Sequence, residues 1–519
     1  MGSQIILVGY VSDEQYMAVS GVHVEIQGNG SRIDVISNVR GAVYAAISAG
    51  TYRVSLGKEG YGGKTVTVAL DPAYPHSFRL LRDGLLGYAW PKWVRAGETS
   101  EFRVHSPEAY KLELWRYGWK KELVYSLGWF DDHGPRCTIQ TTPDGDYSQT
   151  GVQWNKDGYK LRWHQQNVVA PEQSGLYYFH AKTTSGRFFS FPWIVMPALP
   201  RASIAVLSSN ITWNAYNNFG GRSNYVNQDG LPAVPVINAR QDLKRFTEPG
   251  VWPFAVSGAP LSFDRPEIFN MVPENACITD SISGRLESCM APAEWRFLGW
   301  LEREGFAYDL YSEIELHYGR IPLHQYKAVI LNTHNEYFSK DMYSRLKEWV
   351  YRDAGKLVYL GGAGMQAEFD FENEDSIRCR KELIADQRAE SAACLLGVEY
   401  THEGFQSGAP FKVLNPSHWA FAGTGLEHGG LFGEHSLHER CPGGASAHEL
   451  DKISISSPAN IQHLAKGENA GGSGADVVYY ETESGGAVFS AGALCWTLSI
   501  AVDQGVSSVT ANVLRQFTR

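Results

Sequence analysis

The stretch that decides the fold is AVILNTHNEYFSKDMYSRLKEWV, Ala328 to Val350. It opens with an apolar run, Ala328 to Leu331, that breaks at Asn332-Thr333-His334-Asn335-Glu336. A helix follows. Met342, Leu346, Trp349 and Val350 recur at i, i+4, i+7 and i+8, and Ser339 stands where an N-cap belongs. Gly355 closes the helix, and KLVYLGG reads as the next strand. Strand, helix, strand in this order points to an α/β unit with a mostly parallel sheet. Ligands of such sheets bind beyond the carboxyl ends of the strands. His334 and Glu336, two residues apart at one such end, are therefore the first candidates for chemistry.

The same rhythm extends outward. SIAVLSSN is a buried strand. The segment from Ala293, AEWRFLGWLEREG, is a helix with Trp295, Leu298, Trp300 and Leu301 inward and a stop at Gly305. AYDLYSE and AVFSAGALCW read as strands, and TLSIAVD to Arg519 as a final helix. Residues 400–475, rich in Gly, His and Ser, read as loops or an inserted lid. Upstream the period changes to that of strands. QIILVGYVSD, GVHVEIQG, GAVYAAIS, GTYRVSLGKEGY and KTVTVAL lie within residues 1–82. GETSEFRVHS, KLELWRYG, LRWHQQNVV, GLYYFHAKT and RFFSFPWIV lie within 83–200, before a stiff connector at Met196–Arg201. The expected architecture is multidomain: two N-terminal β-sandwiches, 1–82 and 83–200, then an α/β domain over 201–519.

Composition narrows the function. The 519 residues carry a formal charge of −10 with no basic run, which argues against nucleic acid. No apolar stretch approaches the roughly 18 residues of a membrane span. The N-terminal MGSQIILVGYVSDEQ lacks a basic n-region, so a cytoplasmic protein is expected. Seven cysteines without a CxxC pair read as reduced thiols and not as a thiolate zinc site.

A second candidate segment is the loop after SIAVLSSN, Ser208 to Ser223, dense in Asn, Tyr and Trp with a glycine pair. Capping and packing explain such residues equally well, so composition alone leaves site and plain turn both open. Other clusters carry less. His428, His435, His438, Glu439, Cys441 and His448 read as a solvated loop, because no helix supports a ligand spacing. His402-Glu403 lacks the second His of HExxH, and Gly471–Gly474 lacks the Lys-Ser/Thr of a phosphate loop. Ser484-Gly485-Gly486 is no nucleophile elbow. Glu481 and Glu483 end another strand and are candidates to line a pocket.

Six segments in order carry a resemblance. They are SSNITWNAYNNFGGRSNY, SFDRPE, GFAYDLYSEIELH, NTHNEYFS, LVYLGGAGM and GADVVYYETESGGAVFSAGALCW. Together with AWPKWVRAGETSEFRVHS upstream, they resemble the large (beta) subunit family of N,N-dimethylformamidase. The phrases GTYRV and GY near residue 60 resemble the prealbumin-like regulatory domain found beside carboxypeptidases. The resemblance implies a glutamine-amidotransferase-like or flavodoxin-like α/β domain. It also implies a mononuclear Fe(III) held by two tyrosines and a glutamate, with an essential histidine two residues before that glutamate. Carried onto this chain, these are Tyr216, Glu336 and His334. The second tyrosine is missing near SFDRP, where Phe263 and Glu267 stand; Glu267 as a substitute carboxylate and Tyr225 are the two alternatives. Asn217, Trp213 and Glu481 are the candidate substrate contacts. The family's GGN is Gly361-Gly362-Ala363 here.

Phenolate and carboxylate are hard donors that suit Fe(III) better than zinc or another divalent ion. The implied activity is hydrolysis of the C–N bond of a small or medium amide, in a homo-oligomer and with a small subunit as a further partner. The competing expectation is a non-catalytic multidomain binding protein with a degenerate metal site, motivated by the two N-terminal sandwiches and the missing tyrosine. A cysteine-nucleophile enzyme is disfavoured, since no cysteine sits in a strand-to-helix elbow with a His partner.

Overall fold

The crossover at Ala328–Val350 lies at the heart of the largest sheet. A computed structural model describes residues 5–130, 142–154, 166–237, 258–284, 287–380 and 390–519. The architecture is multidomain and mostly β, with several sheets and few helices. Numbering only the strands of the largest sheet, these are β1 (Ile204–Ser208), β2 (Asp309–Ser312), β3 (Ala328–Thr333), β4 (Lys356–Gly361), β5 (Phe411–Val413), β6 (Leu431–Phe432), β7 (Gln462–Gly467), β8 (Asp476–Glu481) and β9 (Ala487–Ser490). Their order in space is β2-β1-β3-β4-β9-β8-β7-β5-β6.

The pairings from β2 across to β9 are parallel, and those from β9 out to β6 are antiparallel. The sheet is therefore mixed, where the sequence predicts a mostly parallel one. The difference comes from residues 400–475, which supply β5, β6 and most of the antiparallel edge instead of a lid. Strands of two or three residues between glycine turns are too short to show a period of two.

Four helices matter here: α1 (Asn210–Tyr216), α2 (Ala291–Arg303), α3 (Lys340–Tyr351) and α4 (Gln504–Phe517). α3 matches its predicted register. Ser339 accepts the Met342 N–H at 3.2 Å, and Met342, Leu346, Trp349 and Val350 are buried. The final helix begins later than expected. A short turn, Trp496–Ser499, precedes it, and Asp503 caps α4 by accepting the Val506 N–H at 3.0 Å. No helix among the described residues is long and apolar enough to cross a membrane.

The chain leaves β1 for β2 on one side and returns past β1 to β3 on the other. The crevice beyond β1 and β3 is thus the point where strand order reverses, the usual ligand position in such sheets. α1 follows β1, and residues 334–336 follow β3.

Two smaller pairs of sheets precede this one. The first pairs Ala42–Ala46, Ile5–Ser12 and His76–Arg79 in one sheet, and Ser31–Ile36, His23–Gly28, Gly50–Gly57 and Lys64–Leu70 in another. Val8, Val11, Val24, Ile26, Val54 and Phe78 form their common core. The second pairs Asn167–Val169, Thr99–His105 and Leu86–Trp90 with a five-stranded sheet that includes Tyr110–Tyr117, Gly175–Thr183 and Phe188–Met196. Its core contains Phe102, Leu112, Phe179 and Trp193. Of the strand predicted over 161–169, residues 161–165 lie outside the described residues, as does Cys137; the other six cysteines are free thiols.

The first unit is bonded into the loop after α1. Buried Arg79 donates to the Asp13 carbonyl at 2.9 Å and the Gly220 carbonyl at 3.0 Å, and the Gly220 N–H donates to the Glu14 carbonyl at 2.7 Å.

Candidate active site

β3 does not run smoothly into its loop. The His334 N–H donates back to the Asn332 carbonyl at 2.9 Å, around a Thr333 with φ of 62°. Positive φ is costly for a β-branched residue, and strain of this kind persists only where the surroundings enforce it. The neighbouring glycines enforce it. A Cβ on Gly361 would lie 2.2 Å from the Thr333 carbonyl oxygen, and one on Gly362 would lie 2.3 Å from the Glu449 carbonyl oxygen. The pair thus lets the segments bearing His334 and Glu449 close in on β4. Met365 and Ala367 N–H groups then fix the Asn335 and Glu336 carbonyls at 2.8 and 2.9 Å.

Glu336 gathers the site. Tyr216, at the end of α1, donates its hydroxyl to Oε2 at 2.7 Å, and Tyr225 donates to Oε1 at 2.7 Å. The two phenol oxygens are 3.2 Å apart. His334 Nε2 stands 3.6 Å from Glu336 Oε2 and 2.7 Å from Glu449 Oε2, so the imidazole lies between two carboxylates. All these groups are buried apart from part of the Tyr225 and Tyr216 rings.

A buried acid frame holds the loops. Glu294 of α2 accepts from the Ser208 hydroxyl at 2.5 Å, from the Ser209 hydroxyl and N–H at 2.6 and 2.8 Å, and from Trp213 Nε1 at 3.1 Å. Glu313 accepts from the Ile211 N–H at 2.9 Å and from Asn335 Nδ2 at 2.7 Å, linking α1 to the His334 loop. Buried Arg265 donates to the carbonyls of Asn214, Phe219 and Arg222.

Burial governs the protonation of the site. It raises the Glu336 carboxyl to about 7; His334 opposes this and Glu449 adds to it. Burial and then the Glu336 charge push both Tyr216 and Tyr225 well above the ordinary phenol range. Burial alone would discharge His334, but the Glu449 carboxylate overrides it and holds the imidazole protonated well above its usual range.

Tyr216, His334 and Glu336 are thus brought together, and the second phenol is Tyr225. Glu267 is not among them. Its carboxylate is committed to Lys92 at 2.6 Å and Asn270 at 2.7 Å, because a buried ammonium needs its counter-ion there. Asn217 holds the loop, donating to the Pro266 carbonyl at 2.8 Å and accepting the Phe219 N–H at 3.1 Å. Trp213 is buried against Glu294.

Glu481 lies at the opposite edge of the sheet. β8 runs antiparallel to its neighbour, so its carboxyl end, where Glu481 pairs with Ala487, meets the amino ends of β9 and β4. Glu449 had no local signal: it sits in the segment read as a lid, and only the approach permitted by Gly362 brings it to His334.

The histidine-rich segment is a solvated loop only in part: His428, His435 and Glu439 are exposed. His438, Cys441 and His448 are buried and offer ligand atoms within 4.8 Å of one another. The Leu437 N–H donates to the Leu498 carbonyl at 3.1 Å, and Gly433 and Glu434 donate to Asp503, which tucks the segment under the turn before α4. The N–H groups of Arg440 and Cys441 both point at His438 Nδ1, at 3.1 and 3.0 Å. That places the ring proton of neutral His438 on Nε2, where it donates to His448 Nδ1 at 3.1 Å. A cation would have to displace this hydrogen bond, and a packing role accounts for the cluster.

Comparison with known proteins bears on the site as a whole. The N,N-dimethylformamidase beta subunit of Alcaligenes sp is 25% identical over 491 residues, covering 75% of this chain and 60% of the relative. That of Paracoccus aminophilus is 24% identical over 489 residues with the same coverage. The chain therefore spans about 60% of the length of these curated relatives. Among solved structures, the Bacillus anthracis TIE protein aligns over 40% of this chain and 35% of that chain at 12% identity with a TM-score of 0.14, too low to carry an argument. The model of the N,N-dimethylformamidase beta subunit-like family, C-terminal region, matches residues 122–508, which contain Tyr216, Tyr225, His334, Glu336 and Glu449, and the chain belongs to that family.

Proposed function

We propose that the chain is a metal-dependent amidohydrolase that cleaves the C–N bond of a small or medium amide, with Tyr216, Tyr225 and Glu336 as metal ligands. The observation that carries this reading is the convergence of two phenols on one buried carboxylate beside His334. The donor set fits a hard cation such as Fe(III): it is all oxygen, it is largely buried, and its carboxyl is pushed up to about 7, chiefly by burial. Such an ion, when bound, polarises an amide carbonyl and acidifies water.

The chain's own groups supply the rest. Binding requires Tyr216 and Tyr225 to give up their protons, and their short contacts to Glu336 leave the three side chains already gathered. His334, held protonated by Glu449, can pass its Nε2 proton to the departing nitrogen. Glu449 is then placed to take the proton released by the attacking water and hand it to His334 Nε2, which restores the pair. Burial strengthens both contacts by excluding water.

Tyr225 removes the main ground for the competing reading of a degenerate, non-catalytic site. The relatives are named as beta subunits, which supports a multi-subunit assembly with a small partner chain. We read residues 1–82 and 83–200 as prealbumin-like and second β-sandwiches, and 201–519 as a doubly wound α/β unit with an antiparallel extension.

The test is elemental analysis of the purified full chain together with its visible spectrum. Stoichiometric iron with a phenolate-to-iron band is expected, and Tyr225→Phe should weaken both. A chain that stays colourless and metal-free after reconstitution overturns the proposal.

A further inference from the structure

We propose that Tyr337 is a positioning residue that tunes the metal centre by donating a hydrogen bond to the oxygen of Tyr225. The inference rests on the metal-binding reading above and extends it to a residue outside the ligand set. Tyr337 follows Glu336 in sequence and is 1% exposed. Its hydroxyl lies 3.0 Å from that of Tyr225. Asn224 Nδ2 lies 2.5 Å from the Tyr337 oxygen on the other side. An amide N–H only donates, so the Tyr337 oxygen is the acceptor in that contact and its own proton is directed at Tyr225. Tyr225 in turn donates to Glu336 Oε1 at 2.7 Å. The row Asn224, Tyr337, Tyr225, Glu336 is therefore polarised in one direction.

That direction matters once a cation replaces the Tyr225 proton. The phenolate becomes an acceptor only, with lone pairs enough for the cation and for one donor. The Tyr337 hydrogen bond uses the side the cation does not need, and it strengthens because its acceptor now carries charge. Tyr216 has no equivalent: among the described residues the hydroxyl beside its oxygen is that of Tyr225, at 3.2 Å, whose single proton is directed at Glu336 and is lost on deprotonation. The centre thus holds one phenolate at full donor strength and one damped by a hydrogen bond. Damping lowers the energy of the phenolate donor orbital. It leaves a ferric ion more Lewis-acidic and easier to reduce, which favours carbonyl polarisation. Tyr337 is itself held firmly. The Phe338 N–H donates to the Ala367 carbonyl at 2.8 Å, and Tyr337 pairs in parallel with Ala367, which fixes the backbone that carries the buried ring.

The experiment compares the iron-loaded wild type with Tyr337→Phe, which keeps the ring and removes the donor. Tyr343→Phe, whose hydroxyl serves Glu390 elsewhere, is the control. The expected result for Tyr337→Phe is unchanged iron stoichiometry, a phenolate-to-iron band moved to longer wavelength and a lower reduction potential, with Tyr343→Phe matching the wild type. A band and potential equal to wild type in Tyr337→Phe overturn the inference while leaving the metal site standing. Resonance Raman spectra of the wild type in H2O and D2O test it without any variant. One of two tyrosinate signatures should shift on deuteration, and none shifting overturns it. A wild type with no phenolate band at all overturns the metal reading, and this inference falls with it.

Discussion

Glu336→Gln should invert its effect on stability with pH in the metal-free protein. In that state the Glu336 carboxyl is raised from 4.5 to about 7, chiefly by burial. The folded state therefore keeps a proton that the unfolded chain has already released. The stability associated with that proton is whole below about 4.5 and is lost as pH rises through about 7. At about 1.4 kcal/mol per pKa unit, the full penalty is about 3 kcal/mol, and roughly 2.5 kcal/mol of it develops between pH 5 and pH 8. Glutamine carries no such proton. Its amide can still meet both tyrosines, since a phenol donates and accepts. The substitution leaves the contact between His334 and Glu449, 2.7 Å in the wild type, untouched.

Chelator-treated wild type and Glu336→Gln would be melted side by side from pH 5 to pH 8. The difference in midpoint between them cancels the titration of other buried acids such as Glu294 and Glu313, which are raised to about 7 and 8 by burial. The variant should gain about 3–5 °C on the wild type across that range for a unit of roughly 300 residues. Loading with ferric iron should reverse the order, because only the wild type retains the carboxylate proposed as a ligand. A difference that stays flat with pH refutes the burial argument.

Gly362→Ala should disable the chemistry and spare the metal. Its Cβ would lie 2.3 Å from the Glu449 carbonyl and 2.8 Å from the Leu494 nitrogen, both backbone, so Glu449 must retreat from His334. We expect about 1–3 kcal/mol of lost stability and on the order of a 100-fold loss in amide turnover, with metal content unchanged; full activity would separate Glu449 from the mechanism. Glu267→Gln should cost roughly 3–5 kcal/mol in denaturant melts by stranding buried Lys92. The visible spectrum should be unaltered, and a loss of metal would make Glu267 a ligand after all.

The sequence was most informative where structure is local. The period of Met342, Leu346, Trp349 and Val350 and the Ser339 cap describe α3 as it stands, because a helix face and a cap depend only on near neighbours. The same reasoning failed over 400–475, where strands of two to six residues pair with one another across long intervening loops. Trp213 and Asn217 are held by contacts that sequence does not show. Their residue types suit a ligand pocket, but each is committed to a distant buried partner, Glu294 in one case and the Pro266 carbonyl in the other.

The choice between Tyr225 and Glu267 shows what kind of information was missing. Both lie in loops reached from the end of β1, and both offer an oxygen donor. Glu267 is excluded by Lys92, a residue 175 positions away in the chain. Tyr225 is admitted by Gly220 and Gly221, whose φ values of 103° and 92° turn the loop back so that Tyr225 meets Tyr216. Glycine serves the same purpose at 361 and 362, where the lack of side chains admits the backbones of Thr333 and Glu449. The glycine pairs in NNFGGRSNY and LVYLGGAGM were visible from the start, but what each admits is a contact between segments. The donors of this site are therefore legible as residue types, and their selection rests on where the backbone is allowed to come close.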